Sequence, residues 1–149
     1  MLHSIFLTLH LTAGMIWVGS VFMGAFIDWP TARNSVKEGD FPFRFIVGQG
    51  SRVFYSVYSG MAMLWFSGFV LTFLNPPQTT REIFMIGMKI IALAFMSGFT
   101  MYGTFSTWPK MQLATHKEAY DYYKFYHYRA IGTFLFGIIA SVLGLWLYL

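Results

Sequence analysis

The dominant pattern along the chain is four long apolar runs separated by short polar stretches. They fall at about 5–27, 53–74, 83–105 and 130–149. At about 1.5 Å of helical rise per residue, each suffices to cross a hydrocarbon core of roughly 30 Å. Pro follows Trp at Asp28-Trp29-Pro30 and again at Trp108-Pro109, and Asn75-Pro76-Pro77 follows the second run. A proline removes a helical hydrogen bond, so each of the three sites predicts a helix end. Two spans extend beyond the apolar runs. Thr115-His116-Lys117-Glu118 has the spacing of a capping box and predicts that the fourth helix begins near His116. Phe41-Pro42-Phe43 predicts a similar early start for the second helix. The fold class expected is therefore all-α: an integral membrane four-helix bundle forming one transmembrane domain over residues 1–149.

Composition agrees with this pattern. Of 149 residues, 56% are hydrophobic and 11% charged, against about a quarter charged in soluble domains. The mean hydropathy is +0.55. The formal charge of +4 is scattered among the connections, which argues against nucleic acid as a partner. Cysteine is absent, which excludes disulfides and thiolate metal sites. The first run lacks a basic leader and a small-residue cleavage site, so it is expected to be a retained helix. Arg33, Lys37, Arg44 and Arg52 lie in or beside the first connection, and Lys110, Lys117, Lys124 and Arg129 in or beside the third. The second has only Arg81. The positive-inside rule then places connections 1 and 3 in the cytoplasm and both termini in the periplasm.

The chain also carries a weak internal duplication. His10 precedes Trp29-Pro30 by nineteen residues, and Lys89 precedes Trp108-Pro109 by the same interval. Gly68 and Gly144 match loosely in the second and fourth runs. This predicts two helical hairpins related by a pseudo-twofold axis along the membrane normal, with His10 and Lys89 at one depth.

His10 and Lys89 are the candidate chemistry. Ionisable side chains inside apolar spans are costly and tend to be functional. No Asp or Glu lies within the four runs to balance them. The plain alternatives are that His10 hydrogen-bonds a neighbouring helix and that Lys89 extends its stem to the outer surface. His3, His10, Trp17 and Gly24 recur at heptad spacing, with Gly14 beside them. That stripe offers imidazole, an aromatic wall and a gap. His10, Lys89, Trp17 and Gly14 are accordingly the candidate cofactor residues, and His10 with His3 the candidate metal ligands. His116 and His127 belong to the other end of the bundle, too far away to share a metal with His10. The aromatic cluster from Tyr120 to Tyr128 reads as an interfacial belt, and the glycine- and serine-rich helix faces as packing surfaces.

Leu9-His10 followed by Ile16-Trp17-Val18-Gly19 resembles the first helix of the CopD and HemJ superfamily of small bacterial inner-membrane proteins. Gly87-Met88-Lys89-Ile90 is similar to the lysine-bearing third helix of those proteins, and Ser59-Gly60-Met61-Ala62-Met63 through Gly68 to their second. HemJ proteins continue their first helix into a segment with Pro, Arg and a further His, where this chain reads Ser20-Val21-Phe22-Met23-Gly24-Ala25-Phe26. The resemblance implies a bacterial inner-membrane protein handling haem b or copper, with His10 and Lys89 as inherited polar positions. Three functions follow as expectations. One is haem binding or porphyrin handling, including haem-dependent oxidoreductase chemistry, at a His10/Lys89 site. The second is copper transport or resistance through His and Met ligands such as Met15, Met61 and Met63. The third is a non-catalytic subunit or assembly factor, contacting a second copy or a partner membrane protein.

Overall fold

In the computed structural model, residues 1–37 and 41–148 are described. Every regular element among them is helical: α1 (Leu2–Phe22), a π segment (Met23–Asp28), α2 (Trp29–Lys37), α3 (Phe43–Leu74), α4 (Thr80–Tyr102), a second π segment (Gly103–Thr107), α5 (Trp108–Leu113) and α6 (His116–Tyr148). The last residue of the fourth predicted span, Leu149, and the side chains of Lys37 and His116, which the sequence reading used, lie outside the described residues. Four continuous helical stretches are long and apolar enough to cross a membrane: Leu2–Val36, Phe43–Leu74, Thr80–Leu113 and Lys117–Trp146.

The expected early starts of the second and fourth helices are present. Pro42 caps α3, and α6 begins at His116. Glu118 accepts hydrogen bonds from the Thr115 backbone N–H at 3.1 Å and its hydroxyl at 2.7 Å, so the Glu half of the capping box is made. Asn75-Pro76-Pro77 ends α3 at Leu74, as the prolines require.

Trp-Pro does not end the first and third helices. Both chains run through it, α1 into α2 and α4 into α5. The missing proline N–H is absorbed by a wider turn just upstream. The Trp29 N–H reaches back five residues to the Gly24 carbonyl, and the Trp108 N–H reaches Gly103 in the same way. Each proline then occupies the first turn of a new α segment, where no donor is needed. The two bonds lie 79 positions apart, as do Trp29 and Trp108.

Packing follows from small residues. α1 lies chiefly along α3, α4 along α6, and α1 also touches α6. Gly60 of α3 sits so close to α1 that an added Cβ would stand 3.2 Å from the Ala13 carbonyl and 3.3 Å from the Trp17 Cβ. Close approach of this kind brings the two backbones together and adds dispersion contacts between them. The central core is Ala13, Trp17, Val57, Leu64 and Met96. A second core of Ala32, Phe41, Ile46, Met111, Ala119 and Tyr123 lies at the end bearing the first and third connections. There the tryptophans cross over. Trp29 stacks on Tyr120 and His127 of α6, at 5.6 and 4.5 Å between ring centroids, and the Trp108 ring lies against Gly50 of α3. The outward face stays apolar, with Phe69 and Phe73 more than 70% exposed.

Candidate functional site

His10 and Lys89 enter the bundle near the end that carries the termini and the connection between α3 and α4. Each stands over a glycine of the helix paired with its own. A Cβ on Gly68 would lie 3.2 Å from His10 Cε1, and one on Gly144 would lie 3.5 Å from Lys89 Nζ. The glycines make room for the ionisable head groups within each helix pair.

The hydrogen bonds of His10 decide which nitrogen carries the proton. Its Nδ1 lies 2.9 Å from the Ser67 Oγ. That hydroxyl is fully buried and has one proton, which it gives to the Met63 carbonyl one turn back at 2.5 Å. Ser67 can therefore only accept from the imidazole, so Nδ1 is protonated and Nε2 carries the lone pair. The Leu64 backbone is a second hydrogen-bond partner of the imidazole, whereas Lys89 Nζ makes no hydrogen bond among the described residues. No carboxylate pairs with either residue among the described residues.

The other candidates are placed differently. Trp17 is fully buried in the central core, and its indole N–H has no partner among the described residues. Gly14 faces Leu64, whose Cδ2 would be 3.9 Å from an added Cβ. The expected wall and gap are thus occupied by side chains of α3. His3 lies two helical turns, about 10.5 Å of rise, nearer the terminus, while His10 is held toward Ser67. No group of three or more His, Cys, Asp or Glu that could hold a metal is present among the described residues. His127 is stacked on Trp29 at the opposite end, its Nδ1 buried without a partner among the described residues.

Two residues escaped the sequence reading. Asp28 lies just past the first apolar run, yet the helix continues beyond it and the side chain turns inward. It accepts a hydrogen bond from Gln49 Nε2 at 2.8 Å. Arg129 of α6 hydrogen-bonds the buried Thr107 hydroxyl and places its guanidinium 4.5 Å above the Tyr102 ring. Both line one cavity of about 70 Å³ beside the two π segments. The signal in the sequence was the repeated Trp-Pro: a proline inside a long helix removes an intrahelical bond, a π turn is one way to absorb the loss, and such turns recur at functional sites.

Comparison with protein-family models, curated proteins and solved structures finds no match. The site stands on its own geometry.

Proposed function

We propose that the protein is a multi-pass bacterial inner-membrane protein that binds haem b at His10 and Lys89, as the CopD/HemJ resemblance implies. One observation carries the reading: the Nδ1 edge of His10 is held by the buried Ser67 hydroxyl, and Lys89, over Gly144 in the other helix pair, has no hydrogen-bond partner among the described residues. A neutral imidazole could hold haem iron, and a hydrogen bond at Nδ1 such as that to Ser67 would orient the ring for it. Lys89 would serve as second ligand or as partner to a propionate. Haem would supply one-electron or oxygen chemistry; the chain's own part is to bind and orient it. We place both termini in the periplasm, from the lysine and arginine count, and relate the two hairpins by a pseudo-twofold axis.

The visible spectrum of the purified protein, with haem supplied during expression, tests the site. A Soret band is expected. His10→Ala should abolish it while the protein remains in the membrane. Lys89→Ala should weaken or shift it, and Lys89→Arg should restore it only in part, because arginine cannot act as a neutral ligand. A colourless protein under these conditions rejects haem, and elemental analysis for copper then decides the second function. The His10–Ser67 bond favours one further reading, in which His10 only ties α1 to α3. Loss of stability in His10→Ala with no chromophore to lose would establish that.

A further inference from the structure

The cavity at the other end of the bundle contains a charge arrangement that His10 and Lys89 do not explain. Asp28 and Arg129 line it from α1's π extension and from α6, yet form no ion pair among the described residues. Each has neutral partners instead: Asp28 the Gln49 amide, Arg129 the Thr107 hydroxyl and the Tyr102 ring. Opposite charges facing one half-buried space without meeting call for polar matter between them. The aromatic rings of Trp108, Tyr123 and Tyr126 also border the space. Rings beside a carboxylate are the surroundings that receive an organic ammonium, while a guanidinium with free N–H groups receives a phosphate. At roughly 10–15 Å³ per water, 70 Å³ admits a handful of non-hydrogen atoms, the size of a headgroup terminus and far less than a macrocycle. The cavity lies beside Trp108-Pro109 and just before Trp29-Pro30, at the end ringed by Arg33, Arg44, Lys110 and Lys124, which in a bilayer is headgroup depth.

We propose that this cavity binds the headgroup of a zwitterionic aminophospholipid, its ammonium toward Asp28 and the aromatic rings, its phosphate toward Arg129. The proposal rests on the bilayer placement proposed above and is independent of haem. The same chemistry is available from a soluble phosphoethanolamine, so both sources enter the test. Detergent-purified, delipidated protein is titrated with phosphatidylethanolamine, phosphatidylglycerol and free phosphoethanolamine, reading bound lipid by native mass spectrometry and stability by thermal unfolding. Phosphatidylethanolamine should bind about ten-fold more tightly than phosphatidylglycerol, which has the phosphate without the ammonium. Asp28→Asn should erase that preference, and Arg129→Gln should weaken both lipids. His10→Ala, at the far end, should leave the preference intact even if it removes a chromophore, so the two proposals fail separately. Equal stabilisation by free phosphoethanolamine would assign the site to a soluble zwitterion. Equal binding of the two lipids by the unmodified protein, or an unchanged preference in Asp28→Asn, would overturn the proposal and leave a water-filled cavity.

Discussion

The two ends of this bundle accommodate ionisable groups by opposite means. At the end bearing the termini, His10 and Lys89 project from unbroken α-helix, and glycines on the facing helices, Gly68 and Gly144, make room for them. At the other end the helices themselves deform: π turns at Met23–Asp28 and Gly103–Thr107 widen the backbone ahead of Trp-Pro, and Asp28 and Arg129 meet a cavity instead of a glycine. The first device keeps a side chain's nitrogen unpartnered while leaving the helix ladder intact. The second uses a proline's missing donor, which straight α-helix cannot absorb, and opens space as a consequence. One molecule thereby has two polar regions of different character.

The contrast can be broken most severely at its midpoint. Trp17 is fully buried between the two regions and joins α1 to α3. Trp17→Ala should cost about 3 kcal/mol in detergent unfolding, the low end for a large aromatic. A cost well under 1 kcal/mol would mean that the central core is not what holds the hairpins.

Next come the glycines, which separate the two ends directly. Gly50→Ala would place a Cβ 2.0 Å from the Trp108 ring, forcing the indole out of its seat, and should cost about 1–3 kcal/mol. Gly68→Ala meets His10 Cε1 at 3.2 Å, so the imidazole need yield only a few tenths of an ångström. It should be milder in unfolding yet should disturb any His10-dependent spectrum. Equal stability losses at the two positions would erase the distinction between a packed indole and an accommodated imidazole.

Ser67→Ala sharpens the His10 end. It removes the acceptor that holds Nδ1–H and should cost about 1 kcal/mol, with the proposed Soret band broadened or shifted but not lost. The smallest effect is expected at the surface. Thr115→Ala removes the hydroxyl that donates to Glu118 at the start of α6 and should cost about 0.5–1 kcal/mol, seen as faster amide exchange in the first turn of α6.

Helix number, approximate spans and the early starts of α3 and α6 were legible in the sequence, because hydropathy runs, prolines and capping residues act locally. What local pattern misjudged was the proline itself: Pro30 and Pro109 read as stops, but the bundle supplies π turns that carry the helices past them. That error hid Asp28, which falls outside a run that was taken to end and inside the helix that continued. The tertiary structure alone decided what holds the His10 imidazole, because Ser67 lies 57 residues away on another helix. It alone buried Trp17 against Gly60 and brought Asp28 and Arg129 to one cavity. Those outcomes depend on the rotation of each helix about its axis, which is set by steric fit between small and large residues on facing helices, and an apolar run carries almost no record of it.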